Sequence, residues 1–368
     1  MRAVLFGVLL SVLSIPPVAA ETAPGPIRAL FVSVLQSPPV LDSREAMDEL
    51  VRFSGRSGVK ILYVQVYRSG LSWVPTASGD TAPYDRSRAA LGEDPLAYLI
   101  RAAHAEGIEV HAWLNLLSLG ANKDALILRR YGAGVLTRNT AVKWGLESYK
   151  IDKQLFLEPG DPRVRQWLGQ LVEDVARNYP DLDGIQYDYI RYPDTRPAYG
   201  HTAENLRRYA AHSGKSPRGE SDPEWREWKR QQVTSLVREL TQRAQAVRPQ
   251  LRISTTGLMP YSRALLESYQ DWKDWIESGL VDHVTLMCYS SEPGKFEYYL
   301  EDAKRRLGSL DKAHIAVGAY SALESPETFA RQWAQAEASG ARASAVLHYG
   351  NLLEKPELTA PLRSRQRT

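Results

Sequence analysis

Residues 183–193 read DGIQYDYIRYP. An acid, Asp188, stands there among Tyr187, Tyr189, Tyr192 and Arg191, at the end of a run with strand character. Glycoside cleavage uses such a group as nucleophile or base, and flat aromatic side chains with a polar handle suit the faces of sugar rings. The reaction usually needs a second carboxyl group, protonated, across the scissile bond. Glu158 in LFLEPGDP is the second candidate, because that stretch returns from a long connection just before a capped helix. Which acid keeps its proton depends on burial and neighbours, so roles are not divided between them at this level. Asp194, Glu292, Glu324 and Glu354 stand just beyond strand ends as substitutes. Arg191 is placed either to pair with Asp188 or to reach a carboxylate or hydroxyl of a substrate.

Other chemistries find less support. The seven histidines are dispersed, with neither His-x-His nor His-Glu-x-x-His, so no metal and no cofactor are expected. No Gly-x-Ser-x-Gly elbow offers a serine nucleophile. Cys288, the single cysteine, lies in the apolar run VDHVTLMCY, which rules out an internal disulfide and marks it as core. The formal charge is +3 and the basic residues are scattered, apart from the RSRQRT tail, so no nucleic-acid partner is expected.

The elements that must position these residues repeat one grammar. RSGVKILYVQVY, AEGIEVHAWLN, ESGLVDHVTLMCY and ASGARASAVLHYG each pass from a helical stretch through glycine into a β-branched run. Gly58, Gly107, Gly279 and Gly340 would supply the left-handed residue past a helix end. Asp94–Pro95, Asp161–Pro162, Asp222–Pro223 and Ser325–Pro326 set a capping oxygen before a proline at the first helical position. Strands are expected at about 28–35, 60–67, 109–115, 183–189, 251–256, 283–289, 314–319 and 345–349. Helical stretches separate every pair, which fits an α/β (β/α)8 barrel better than an open doubly wound sheet. The nucleotide reading of an open sheet would need a glycine-rich phosphate loop, and none follows any strand. Long loops follow strand three (116–160) and strand four (190–223), both on the face where barrels carry their sites.

Alternation along the strands turns Tyr63, Gln65 and Tyr67 inward from strand two. It does the same for His111, Trp113 and Asn115 in strand three, and for Gln186 and Asp188 in strand four. Ser33, Thr285 and Tyr289 join them. Unpaired polar groups in a core cost about 1–3 kcal/mol each, so this many point to a wet cleft. Tyr67, Trp73, Trp113, Tyr192, Tyr289 and Tyr349 near the strand ends are candidate sugar-stacking surfaces. His111 is weighed both as a donor to substrate and as a satisfied core histidine.

The opening MRAVLFGVLLSVLSIPPVAA has an early Arg2, an apolar stretch and small residues ending at Ala20, the pattern of a cleavable secretory signal. Its apolar stretch, about 13 residues, is short of the roughly 20 that a spanning helix needs, so no stable membrane insertion is expected. The expected organisation is a signal over 1–20, a barrel over 21–360 and a basic tail over 361–368. The protein is expected to be a monomer in a secreted or periplasmic location.

LDGIQYDYIRYP resembles the signature of the bacterial glycoside-hydrolase-like family 10, and further stretches follow in that family's order: GVKILYVQVYRSG, DPLAYLIRAAHAEGIEVHAWLN, LFLEPGDPRVRQWL, WREWKRQQVTSLVREL and GLVDHVTLMCYS. The resemblance covers most of residues 27–320. It implies a (β/α)8 enzyme of the envelope that cuts glycan strands, with peptidoglycan lacking its stem peptides as one substrate class. Carried onto this chain, it marks Met287 and Tyr289 at strand six. Three departures stand out: Tyr189 where many members have a second acid, Glu158 where relatives often have aspartate, and Met287, Cys288, Tyr289 and Ser290 in place of a Gln-Ile-Tyr-Trp run. The expected function is therefore an exported glycoside hydrolase acting on a polysaccharide. The alternatives are a catalytically silent glycan-binding barrel and a metal-dependent deacetylase of the same polymer.

Overall fold

The computed structural model describes residues 26–140, 154–195 and 197–363. The expected secretory segment, residues 1–20, and the tail from 364 lie outside the described residues, as does part of the long third loop. Eight parallel strands close on themselves. They are β1 (Ile27–Val32), β2 (Val59–Arg68), β3 (Glu109–Asn115), β4 (Gly184–Asp188), β5 (Arg252–Leu258), β6 (His283–Met287), β7 (Ala313–Gly318) and β8 (Ala343–Leu347). Each pairs with its neighbour in sequence, and β1 pairs with both β2 and β8, which seals the barrel. A short antiparallel strand, Leu71–Ser72, folds back on the end of β2.

The punctuation expected from sequence is present. Asp94, Asp161, Asp222 and Ser325 accept hydrogen bonds from backbone amides in the first turns of their helices, each with proline at the start. Gly58, Gly107, Gly279 and Gly340 take φ values of 66°, 63°, 70° and 81°, the left-handed region that a side chain would make costly. The last helical turn runs Pro356–Leu362, and the Leu362 carbonyl accepts from Arg28 Nη1 at 2.9 Å.

The interior divides into two ends. At the base, the Tyr63 hydroxyl lies 2.8 Å from His283 Nε2 and 2.7 Å from His314 Nδ1, donating to one ring and accepting from the other. Those two rings stack at 4.0 Å, and His111 meets Tyr63 edge-on at 5.4 Å. Three histidines that are far apart in sequence thus converge in the closed half of the barrel. Gly184 makes room for them, since a Cβ there would run into the His111 ring and lie 2.9 Å from the Arg252 carbonyl. Burial holds His283 and His111 below the ordinary histidine range and brings His314 down to about 3.

One strand departs from simple alternation. Val66 is an extra residue in the ladder, because Gln65 pairs with Trp113 while Tyr67 pairs with Leu114. The bulge reverses parity, so Tyr67 packs in the layer between sheet and helices, with its hydroxyl donating to the Ser78 carbonyl at 3.1 Å. The inward position expected for Tyr67 is therefore corrected.

The histidine cluster makes stability depend on pH with a definite sign. As pH falls below about 6.5 the unfolded chain takes up protons that the folded base resists, His314 until about pH 3, so unfolding becomes easier across that window. Thermal melts between pH 7 and pH 4 should show a falling midpoint, and His314→Gln should flatten the slope. A midpoint independent of pH in both proteins would contradict neutral, buried rings.

Candidate active site

Asp188 closes β4 at the opposite end from the histidines, level with Asn115 of β3. Its carboxylate is held from both flanks. Trp113 Nε1 of β3 donates to Oδ2 at 2.9 Å, and Thr256 Oγ1 of β5 donates to Oδ1 at 2.6 Å. The following amide, Tyr189 N, donates to Oδ1 at 2.7 Å. Tyr189 sits at φ 51°, a left-handed conformation that is strained for a tyrosine and turns the chain directly after the acid. Asp188 is 5% exposed. Three converging donors fix the orientation of the carboxyl group and engage both of its oxygens as acceptors.

The polar side chains expected to face inward form a continuous floor beside it. Gln65 Nε2 donates to Asn115 Oδ1 at 3.1 Å, and Gln65 Oε1 accepts from Ser33 Oγ and Val34 N, both at 3.2 Å. One layer below, Gln186 accepts from Ser254 Oγ. Trp113 meets Phe31 edge-on at 5.0 Å, which fixes the indole that holds Asp188. Tyr289, after β6, feels the Asp188 charge, which adds to burial in pushing its phenol well up. Its ring meets Tyr320 edge-on at 5.6 Å, and Tyr320 is 47% exposed, so an aromatic surface stands open at this rim. Met287, half-buried, ends β6 beside them.

Glu158 has a different setting. It is fully buried, with Thr137 Oγ1 donating to Oε2 at 2.9 Å and the Tyr192 hydroxyl donating to Oε1. Thr137 Oγ1 also accepts from Gly200 N at 3.1 Å. One carboxyl therefore fastens the loop after β3 to the loop after β4, and burial pushes it above the ordinary glutamate range. Tyr192 is spent on this fastening and on an edge contact with Tyr269, not on an open sugar face.

Of the two roles weighed for His111 its placement fits the core one, while Tyr349 departs from the sugar-stacking role expected of it. His111 lies in the base cluster, because its strand position is level with Gly184, not with Asp188. Tyr349 is buried against Phe53 of the helix Arg44–Arg56, with ring centroids 5.1 Å apart. Among the substitute acids, Asp194 pairs with Arg263 and Glu292 with Lys295, while Glu324 and Glu354 are exposed. Thr256 and Tyr320 were not singled out from sequence. Extending the alternation to ISTTGL would have turned Thr256 inward, whereas Tyr320 lies in a helical turn that strand parity does not reach. Among the described residues no group of three His, Cys, Asp or Glu could hold a metal ion.

The model for the glycosyl hydrolase-like 10 family matches residues 27–334. The chain belongs to the glycosyl hydrolase-like 10 family. Glycosyl hydrolase DigH of Escherichia coli (strain K12) is 24% identical over 314 residues, covering 74% of this chain and 68% of that protein. Glycosyl hydrolase YngK of Bacillus subtilis (strain 168) is 24% identical over 308 residues, and the chain spans 57% of its length. The solved catalytic domain of β-amylase from Paenibacillus polymyxa has a TM-score of 0.60 at 10% identity, covering 90% of this chain and 94% of that one. A β-galactosidase from Bacillus circulans sp. alkalophilus has a TM-score of 0.59 at 14% identity, covering 88% of this chain and 50% of that one. This glycosyl hydrolase-like 10 chain thus shares the barrel fold with solved glycosidases.

The fastening at Glu158 yields a stability test. Glu158→Ala takes the acceptor from the buried Tyr192 hydroxyl, at about 1–3 kcal/mol, and removes the bond from Thr137 Oγ1 that ties the two loops. Urea unfolding should show a loss of at least about 2 kcal/mol. An unchanged midpoint would contradict the joint.

Proposed function

We propose that the protein is an exported glycoside hydrolase acting on a polysaccharide, with peptidoglycan glycan strands as the first substrate to try. The observation that carries it is Asp188 at the C-terminal end of β4, held by donors from β3, from β5 and from the residue that follows β4, beside the Tyr289 and Tyr320 rings. That setting fits a nucleophile, base or charge stabiliser at an oxocarbenium-like centre, with sugar rings stacked on the tyrosines. Family membership supports the reaction class, and the opening residues supply the secretory pattern that supports export. Glu158, enclosed and doubly bonded, is assigned to shaping the loops that flank the mouth.

A second reading keeps the glycan and drops the chemistry. Because the other leading acid is sealed beneath two loops, a barrel that binds glycan without cleaving it is the competing reading.

The two readings separate on a panel of peptide-stripped wall glycan, intact wall and unrelated polysaccharides, with release of reducing ends as the readout. A hydrolase should digest at least one of these. Asp188→Asn should lower turnover by about 10²–10⁴-fold or more while glycan still binds, whereas Glu158→Gln should stay within about tenfold. Binding without digestion would favour the silent barrel, and equal losses in both variants would return Glu158 to the chemistry.

A further inference from the structure

Arg191 stands next to Asp188, yet its geometry is not that of a partner. Its Nη1 is 3.9 Å from Asp188 Oδ1, outside hydrogen-bond range. Both Asp188 oxygens already accept from Trp113, Thr256 and Tyr189 at 2.6–2.9 Å. An arginine serving to clamp that acid would lie in a two-pronged contact about 2.7–2.9 Å away. Instead the guanidinium stacks over the Tyr189 ring, 4.5 Å from its centroid. Tyr189 is itself fixed by its left-handed backbone and by Phe156, whose ring lies 6.0 Å away.

The charge is held in place while its donors go unused. The Arg191 side chain is 11% exposed, and Nη1 is buried with no acceptor. Among the described residues the guanidinium donates no hydrogen bond. An unmade donor on an enclosed charge is costly unless something else completes it. A guanidinium is a planar fork with five donors, matched by a planar acceptor with two oxygens; a single hydroxyl would fill one prong.

We infer that Arg191 selects the substrate by binding a carboxylate on a sugar ring seated beside Asp188, so that the mouth takes an acidic glycan. The inference rests on the glycan reading above. Two kinds of polymer carry such a group, uronic-acid polysaccharides and hexosamine polymers bearing a carboxylic acid ether. Both present the same planar anion to the same fork.

The test pairs each polymer with its own carboxyl-reduced, neutral form. One pair is a polyuronate, and the other is peptide-stripped wall glycan. The measurements are kcat/KM by reducing-end release and affinity by calorimetry, for the wild-type protein, Arg191→Gln and Arg191→Lys. The wild-type protein should favour the acidic form of one pair by tenfold or more, and the responding pair identifies the source. Arg191→Gln should bring that ratio towards one, chiefly through KM, and Arg191→Lys should restore part of it. Equal use of acidic and reduced forms by the wild-type protein would overturn the inference without any variant, and so would an undiminished preference in Arg191→Gln. Acid-selective binding that depends on Arg191 but yields no cleavage would keep this inference and discard the hydrolase. Neither binding nor cleavage of any form would discard both.

Discussion

The structure turns on how one carboxylate is held across three strands. Trp113 on β3 and Thr256 on β5 reach Asp188 on β4 from opposite sides, which requires the three strands to be adjacent, parallel and in fixed register. A slip of one residue in any of them would turn its side chain towards the helices. The closed barrel enforces that register, because β1 is paired on both edges and no strand is free to slide. Phe31 and Tyr63 in turn fill the space beneath Trp113, so the acid rests on a packed aromatic floor.

That floor divides the interior by chemistry. Towards the strand starts, three histidines share one tyrosine and stay neutral because burial disfavours their charge. Towards the strand ends, Ser33, Gln65 and Asn115 form a bonded polar band that reaches Asp188. Barrel enzymes keep their chemistry at the latter end and their stability at the former, and the polar band and the histidine cluster are arranged in that order here. The long loops after β3 and β4 complete the open end and are tied together through Glu158, Thr137 and Tyr192.

Much of this was legible in the sequence because it depends on local rules. Proline after a capping oxygen and glycine after a helix set the element boundaries, and period-two alternation turned Gln65, Trp113, Asn115 and Asp188 to one side. What the sequence did not reveal has physical causes. Tyr67 followed a bulge, and an extra residue in a ladder leaves no trace in a single sequence. His111 was correctly turned inward, but depth along the barrel depends on strand stagger, which alternation does not report. Glu158 is buried by contacts between two loops more than thirty residues apart, and loop packing has no periodicity to read.

The most direct test of Asp188 as the reacting centre is a crystal structure of Asp188→Asn soaked with an oligosaccharide of the polymer that binds. The scissile linkage should lie within hydrogen-bond reach, about 3 Å, of the substituted side chain, with a sugar ring against Tyr289 or Tyr320. A glycan bound on another face, or one crossing the mouth with every linkage out of reach of that position, would contradict the account.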